Sequence, residues 1–139
     1  MIAIGAGICR GLGLGSNSVA ALITRGLVEI TRLAVAMGGS ARTLSGLAGL
    51  GDFVLTATGD LSRNRFVGIR LGQGHPLRQI LAGMTMIAEG VGTCRAAHML
   101  GERMHVDLPI IRKMYEILYE QKDPRQAIGE LMERPLTME

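Results

Sequence analysis

The order of apolar and polar positions along the chain predicts helices throughout. After Gly15, apolar residues recur at steps of three and four positions until Gly38 and Gly39, which is the spacing of one face of an α-helix. No stretch shows the strict alternation that marks a half-buried β-strand. We therefore expect an all-α fold in which this segment forms the longest helix. Its apolar face consists of Ala20, Ile23, Leu27, Ile30, Ala34 and Met37.

Proline and glycine mark the ends of the other predicted helices. Pro76, Pro109 and Pro124 each stand where a first helical residue is expected, because the N–H that proline lacks has no partner there. Asp123 precedes the last of these prolines and is a favourable N-cap. The predicted helices cover residues 1–10, 17–37, 41–47, 53–58, 62–71, 76–84, 89–104, 109–121 and 124–134.

Small and polar residues at other positions carry further expectations. Gly5 and Gly7 are expected to let another backbone come close to the first helix. Ser16 or Asn17 is expected to cap the long helix, and Ser40 the short helix after it. In the helix over 109–121, we expect a buried apolar stripe and an opposite face in water. The stripe is Ile110, Met114, Ile117 and Leu118, and the opposite face is Arg112, Lys113, Glu116 and Glu120.

Length and composition narrow the kind of core that the chain can build. With 139 residues there is room for one domain, but not for two full ones. The chain is 47% hydrophobic but only 3% aromatic, so its core must be aliphatic, as in close-packed helices. The mean hydropathy of +0.28 is high for a soluble chain. It indicates either a well-filled core or a surface patch that meets a partner or a further domain.

Charge and cysteine usage exclude several classes of function. The 15 lysines and arginines give a net charge of +3 but are scattered rather than gathered into a stripe, and few aromatic residues are present to stack on bases. Nucleic-acid binding is therefore not expected. Cys9 and Cys94 stand alone and form no C-x-x-C pair. This favours reduced thiols in a cytoplasmic protein, and neither thiol is expected to be a nucleophile.

Metal binding and membrane insertion are not expected either. The three histidines share no i, i+4 spacing and have no neighbouring cluster of cysteines or carboxylates. The longest apolar run is interrupted before it reaches the roughly 18 residues that a membrane span needs. The N-terminus lacks the pattern of a signal peptide. The histidines are His75, His98 and His105, and the interrupting residues are Arg25, Glu29 and Arg32.

Two short blocks place a lone carboxylate about one loop away from a polar cluster with two positive charges. Asp52 follows a glycine, and residues 61–65 read LSRNR. A helix that begins at this cluster would present backbone N–H groups to an anion. Arg63 would add a full positive charge, and Asn64 and Ser62 would add orienting hydrogen bonds. The pattern therefore indicates a site for a small phosphorylated or carboxylated ligand.

Plainer interpretations of the same residues remain open. Asp52 can serve as a helix N-cap and nothing more, and Asp60 can pair with Arg63 or Arg65 in an ordinary surface turn. The glycine run over 11–15 has the composition of a phosphate-binding loop, but a helix rather than a strand is predicted before it. A tight turn between two helices is the preferred interpretation of that run.

Four blocks carry the most specific signal in the sequence. They read NSVAALITRGL at 17–27, GLAGLGD at 46–52, LSRNR at 61–65 and AEGV at 88–91. In this order they closely resemble the C-terminal half of bacterial NAD(P)-dependent glycerol-3-phosphate dehydrogenase. The resemblance implies a compact multi-helix domain of the 6-phosphogluconate-dehydrogenase C-terminal type, without a Rossmann sheet. Residues 1–139 would then form a single substrate-binding domain.

The same resemblance implies a reaction and a set of site residues. Members of the family reduce dihydroxyacetone phosphate to sn-glycerol 3-phosphate for phospholipid synthesis, with NADH or NADPH as the cofactor. Matched position by position, the substrate-binding residues are Asp52, Ser62, Arg63 and Asn64, and the residues that touch the cofactor are Arg63, Ile87 and Glu89.

Two parts of the family's machinery are expected outside this chain. The family's lysine, which exchanges a proton with the substrate oxygen, aligns just before Met1, so no catalytic residue is expected here beyond a supporting Asp52. The Rossmann domain that binds the dinucleotide is also expected elsewhere. We therefore expect the chain alone to be inactive and to bind no cofactor tightly. Asn17 matches the family's helix start, but Val19 departs from a position that is often basic.

Two rival functions belong to other classes. One is a non-catalytic helical module that forms a homodimer through its apolar surface. The other is a binding protein that retains recognition of a small organophosphate without chemistry. The sequence does not distinguish NADH from NADPH, because the discriminating residues lie in the dinucleotide-binding domain.

Overall fold

The computed structural model of the chain describes residues 1–59 and 61–133, with the backbone alone for residues 47, 48 and 52. Regular structure within these residues is helical and includes no β-strand, which confirms the predicted all-α fold. The elements in chain order are α1 (Ile2–Gly11), α2 (Ser16–Ala36), α3 (Ala41–Leu44), a π-helical turn (Leu47–Gly51), α4 (Asp52–Thr58), α5 (Arg63–Gly72), α6 (Leu77–Ala82), α7 (Glu89–Met104), α8 (Pro109–Tyr119) and α9 (Pro124–Glu133).

The helix ends in the second half of the chain follow their sequence signals closely. Helix α7 begins and ends where predicted. Pro109 and Pro124 are the first residues of α8 and α9, whereas Pro76 takes the N-cap position, one residue before α6 begins. Asp123 caps α9 as predicted, because its Oδ1 accepts a hydrogen bond of 2.9 Å from the N–H of Gln126. The predicted end of α9, residue 134, lies outside the described residues.

Of the caps predicted in the first half of the chain, Ser40 takes its predicted position, whereas the cap at Ser16 or Asn17 is wrong. Helix α2 begins at Ser16 with Gly15 in the N-cap position, and no side chain caps it. Ser40 holds the N-cap position of α3, but its side chain makes no capping hydrogen bond. A glycine at the N-cap makes a helix only about a few tenths of a kcal/mol less stable than a serine does. Because this difference is small, α2 can begin directly after Gly15. Helix α3 ends at Leu44, three residues before its predicted end, and the π-helical turn begins at Leu47.

Helix α1 is the centre of the fold, and α5 packs directly against its backbone. Every residue of α1 from Ile2 to Cys9 is buried. A Cβ atom added to Gly7 would stand 2.9 Å from the Cα atom of Gly68 on α5. A Cβ atom on Gly68 would overlap the carbonyl oxygen of Ile4. This close approach fixes the position of α5, and of the polar cluster at its start, relative to α1.

The two glycines predicted to admit another backbone behave differently. Gly7 does so, as its contact with α5 shows. Gly5 faces side chains instead, because an added Cβ atom would lie 2.9 Å from Leu22 Cδ2 and 3.3 Å from the Met114 sulfur. The surrounding core is aliphatic, as the composition predicts. Its largest fully buried side chains are Ile4, Ile8, Ile111, Val67 and Cys94.

A buried carboxylate joins α2 to the start of α8. Glu29 is only 3% exposed, and its two carboxylate oxygens accept hydrogen bonds from the N–H groups of Ile110 (2.7 Å) and Ile111 (3.0 Å). These N–H groups belong to the first turn of α8 and have no partner within the helix. Burial raises the pKa of Glu29 to about 7, although the two N–H groups oppose the rise. Glu29 therefore replaces a local cap with one supplied from another helix.

The raised pKa of Glu29 makes the stability of the fold depend on pH. The folded state binds this proton more tightly than the unfolded state does, so the contribution of Glu29 to stability grows as pH falls from about 7 towards about 4.5. When the pH is lowered from about 7.5 to about 5.5, we expect protonation of Glu29 to raise the free energy of unfolding by about 2 kcal/mol. Urea unfolding of the wild type and Glu29→Gln at the two pH values measures it.

The comparison between these two proteins isolates Glu29 from the other carboxylates. Glu29→Gln is expected to lack the increase, whereas Glu120→Gln, at an exposed position just after α8, is expected to keep it. An equal pH dependence in the wild type and Glu29→Gln would contradict the assignment.

Four charged side chains form a cluster between α8 and α9. Lys113 and Lys122 lie 2.6–2.9 Å from carboxylate oxygens of Glu116 and Glu130. The two lysines lower the pKa of Glu130 to about 2. The side chains of Lys113 and Glu116 are only 20% and 17% exposed, so the prediction that both face water is wrong. Their pairing with opposite charges allows this partial burial.

Candidate functional site

Three helix starts meet at the candidate site. The N–H of Gly90, in the first turn of α7, donates a hydrogen bond of 2.9 Å to Oδ1 of Asn64, in the first turn of α5. A Cβ atom on Gly90 would lie 2.6 Å from that oxygen and 2.8 Å from the backbone nitrogen of Met1, just before α1. The fold thus brings together the start of the chain, the polar cluster of residues 61–65 and the last of the four sequence blocks.

Ser62 begins the polar cluster as a helix cap. It occupies the N-cap position of α5, and its Oγ accepts a hydrogen bond of 3.2 Å from the N–H of Arg65. The hydroxyl hydrogen is still able to donate to a ligand. The N–H groups of Arg63 and Asn64 precede the first bonded turn of α5, as at any helix start. Their position and the positive end of the helix dipole favour an anion there.

Arg63 is the exposed cation of this cluster. It is the first residue of α5, and its side chain forms no ion pair with another of the described residues. Arg65 is half-buried and has an interaction partner of its own. The alternative interpretation, in which Asp60 pairs with either arginine, depends on a residue outside the described part of the chain. Arg63 therefore meets the predicted requirement for a charge that a ligand can reach.

Asp52 is the first residue of α4, and its side chain is outside the described part of the structure. The rest of α4 lies against α1 and α2. Ala57 is buried there in an apolar cluster with Ala3, Ala6 and Ile23. The structure therefore positions the backbone of Asp52, and its role as a ligand to the substrate stays a prediction.

Ile87 and Glu89 flank the point where α7 begins. Ala88 between them is 4% exposed and anchors the segment, whereas Ile87 is 80% exposed and Glu89 is exposed as the first residue of the helix. The segment is tied to the polar cluster through the Gly90 N–H. This pair suits one wall of a dinucleotide site. A ring of the dinucleotide can pack on Ile87, and one of its hydroxyl or amide groups can donate a hydrogen bond to Glu89.

The glycine run over 11–15 forms a turn between helices, as preferred from the sequence. Helix α1 ends at Gly11, α2 begins at Ser16, and Gly13 has a φ of +76° that favours glycine. A helix rather than a strand precedes the run, so it lacks the geometry of a dinucleotide-binding loop.

A cavity between α1, α2, α4 and α5 is a feature that the sequence did not indicate. It measures about 580 Å³ and is mostly apolar, with Arg10 and Arg65 at its polar parts. Neither Asn64 nor Gly90 lines it. The cavity thus adjoins the polar cluster through Arg65, but it does not include the contact between Asn64 and Gly90.

Cysteine and histidine chemistry contributes little to this site. Burial raises the pKa of the Cys94 thiol to about 11 and also raises that of Cys9, so both thiols are protonated at neutral pH, as expected for residues that are not nucleophiles. Within residues 1–59 and 61–133, the His, Cys, Asp and Glu side chains form no group of three able to hold a metal ion. Among the helices described, none is long and apolar enough to cross a membrane.

The sequence did not identify Gly90, whose N–H joins the start of α7 to the start of α5. The block AEGV carries part of the resemblance to the family, and the sequence alone predicts no separate role for Gly90. A glycine in the first turn of a helix has low helix propensity, which is a weak sign that space is needed there. The partner of its N–H, Asn64, lies 26 positions earlier, so only the structure identifies it.

Comparison with known proteins gives consistent results over almost the whole chain. The family model for the C-terminus of NAD-dependent glycerol-3-phosphate dehydrogenase matches residues 1–129. The glycerol-3-phosphate dehydrogenase [NAD(P)+] of Citrifermentans bemidjiense is 58% identical over the full chain, which covers 42% of that relative. The Koribacter versatilis protein of the same name is 59% identical over 140 positions, and the chain again covers 42% of it. The chain thus spans less than half the length of these relatives.

Solved structures show the same fold. The chain matches the crystal structure of glycerol-3-phosphate dehydrogenase from Coxiella burnetii with a TM-score of 0.92 and 45% identity, covering 96% of this chain and 41% of that one. It matches the yeast glycerol-3-phosphate dehydrogenase with a TM-score of 0.85 and 26% identity, covering 96% of this chain and 39% of the other.

Proposed function

This chain belongs to the glycerol-3-phosphate dehydrogenase family as its C-terminal domain, and from that premise we propose that residues 1–139 bind the substrate in an enzyme that interconverts dihydroxyacetone phosphate and sn-glycerol 3-phosphate with NADH or NADPH. The observation that carries the proposal is the meeting of the α5 and α7 helix starts at Asn64 and Gly90. The product of the reduction is a phosphoester that phospholipid synthesis consumes.

The charge at the start of α5 suits the phosphate of this substrate. Arg63 is exposed beside backbone N–H groups at the positive end of the helix dipole. A guanidinium can bind two phosphate oxygens at once. The hydroxyl of Ser62 and the NH₂ group of Asn64 add neutral donors for the remaining oxygens. Asp52 cannot bind a phosphate, so we assign it to the substrate hydroxyl, where it accepts a hydrogen bond.

The residues described here fit one side of the cofactor site only. Ile87 and Glu89 can line the dinucleotide as one wall, and Arg63 can reach it from the start of α5. The described residues form no strand-to-helix glycine loop for a pyrophosphate, and we assign the rest of that site to the segment that the relatives have in addition. When bound, NAD(P)H supplies the hydride that reduces the substrate ketone. The family resemblance assigns the proton that the reduced substrate oxygen needs to a lysine that is not among residues 1–139.

A hybrid enzyme tests this function. Residues 1–139 replace the matching segment of the Citrifermentans bemidjiense relative, and oxidation of NADH or NADPH is followed with and without dihydroxyacetone phosphate. We expect substrate-dependent turnover in the usual enzyme range of about 1–1,000 per second. The 139-residue chain by itself is expected to give none. A hybrid that folds, by circular dichroism, but oxidises no cofactor would contradict the proposal.

A further inference from the structure

Resting on the proposed function, we propose that Gly90 is a positioning residue for substrate binding. Its N–H holds the oxygen of the Asn64 amide, and its lack of a side chain leaves the room that this amide occupies. Gly90 thereby turns the NH₂ group of Asn64 towards the ligand and links it to the segment that carries Ile87 and Glu89.

The hydrogen bond decides which end of the Asn64 amide faces the site. A backbone N–H only donates, so the atom that it meets at 2.9 Å must be the amide oxygen. The NH₂ group, whose two hydrogens lie in the amide plane, is then at the end of the amide that points away from the Gly90 N–H. The half-buried Asn64 side chain can therefore offer donors to a phosphate or hydroxyl oxygen, and it cannot offer an acceptor in their place.

The space around Gly90 is as restrictive as its hydrogen bond. A Cβ atom there would lie 2.6 Å from Asn64 Oδ1 and 2.9 Å from Asn64 Cγ, which is closer than non-bonded atoms approach. The Asn64 side chain would have to leave its present rotamer, and the backbone nitrogen of Met1, 2.8 Å from the same Cβ, would have to shift as well. Gly92, also in the first two turns of α7, has no atom within 4 Å of such a Cβ. The same substitution at the two glycines thus separates the crowding of Asn64 and Met1 at position 90 from the change in helix propensity.

The link between the two helices joins the two halves of the site. Asn64 is a predicted substrate ligand, and Glu89 is the immediate neighbour of Gly90. When Glu89 and Ile87 are held by a cofactor, the first turn of α7 is held as well, and so is the Asn64 amide that it orients. The contact itself orients Asn64, a predicted substrate ligand. Its loss is therefore expected to weaken substrate binding more than cofactor binding.

Steady-state kinetics of the hybrid enzyme test the proposal. Gly90→Ala is expected to raise the KM for dihydroxyacetone phosphate about tenfold or more, while the KM for NADPH changes less than about twofold. Gly92→Ala is expected to change both values less than about twofold, because it shares only the gain in helix propensity. Equal kinetics of the two alanine variants would overturn the proposal.

A double-mutant cycle distinguishes positioning from general damage. If Gly90 acts through the Asn64 amide, adding Gly90→Ala to Asn64→Ala raises the KM less than about twofold further. Multiplying losses would mean that the added methyl group acts through another neighbour, such as the Met1 backbone 2.8 Å away, and the proposal would fail. If Asn64→Ala alone leaves the KM for dihydroxyacetone phosphate unchanged, Asn64 does not bind the substrate, and the role proposed for Gly90 fails with it. Dihydroxyacetone phosphate turnover by the unmodified hybrid tests the proposed function separately from both.

A second variant keeps the test valid if Gly90→Ala does not fold. Asn64→Asp preserves an oxygen for the Gly90 N–H but removes the NH₂ donors. In the 139-residue chain, the Gly90 amide is expected to exchange with solvent as slowly in Asn64→Asp as in the wild type, and about tenfold faster in Asn64→Ala. In the hybrid, Asn64→Asp is expected to raise the KM for dihydroxyacetone phosphate despite the intact contact. Normal substrate binding by Asn64→Asp would overturn the assignment of the NH₂ group to the ligand.

Discussion

Replacing Gly68 with alanine is expected to lower the free energy of unfolding by about 3 kcal/mol or more, because Gly68 has the closest backbone contact of the described glycines. The new Cβ atom would overlap the carbonyl oxygen of Ile4 and lie 2.9 Å from the Cα atom of Gly7, so it would meet only backbone atoms of α1. Neither helix has a flexible side chain there that can move away. The gain of about 1 kcal/mol in helix propensity offsets only part of the cost.

Thermal unfolding by circular dichroism measures this effect. For a chain of this size, a loss of 3 kcal/mol corresponds to a fall in Tm of about 10 °C. Gly129→Ala is the matched control, because no atom lies within 4 Å of a Cβ at that position in α9. The control is expected to leave Tm unchanged or raise it. A Gly68→Ala protein as stable as the control would mean that α1 and α5 are further apart than the structure describes.

The close contact between α1 and α5 illustrates what the sequence could predict and what it could not. Helix positions depend on local periodicity and on proline or glycine at the ends, so α7 was predicted to the residue. Gly7 indicated that some backbone comes close, but the partner on α5 lies far along the chain. Gly5, with the same local signal, packs against side chains. Local sequence indicates that space is needed, and the tertiary fold decides what fills it.

The candidate site shows the same division between local and distant information. The start of α5 at Ser62 and Arg63 was predictable because capping is a local property. The contact of Asn64 with Gly90 spans 26 positions and was not. Glu29 entered the sequence argument only as a charge that interrupts an apolar run, because its partners Ile110 and Ile111 are 81 and 82 positions away. In both cases a polar side chain satisfies the start of a distant helix.

Removing the Arg63 guanidinium is expected to lower kcat/KM of the hybrid enzyme for dihydroxyacetone phosphate about 100-fold or more. Arg63 is the exposed cation at the first position of α5, beside the N–H groups and Asn64. Arg63→Lys keeps the charge but not the two-pronged donor geometry, so it is expected to lose about tenfold. Arg125→Ala, at an exposed position in the first turn of α9, is the matched control and is expected to leave kcat/KM unchanged.

A substrate without its phosphate shows what Arg63 holds. If the guanidinium binds the phosphate, Arg63→Ala loses activity with dihydroxyacetone phosphate but changes the slow reduction of unphosphorylated dihydroxyacetone less than about twofold. If Arg63 acts chiefly on the cofactor, both substrates lose activity to the same extent and the KM for NADPH rises. Equal losses of activity with the two substrates would mean that Arg63 does not bind the substrate phosphate. Unchanged activity with both would mean that the positive end of α5 lies outside the substrate site.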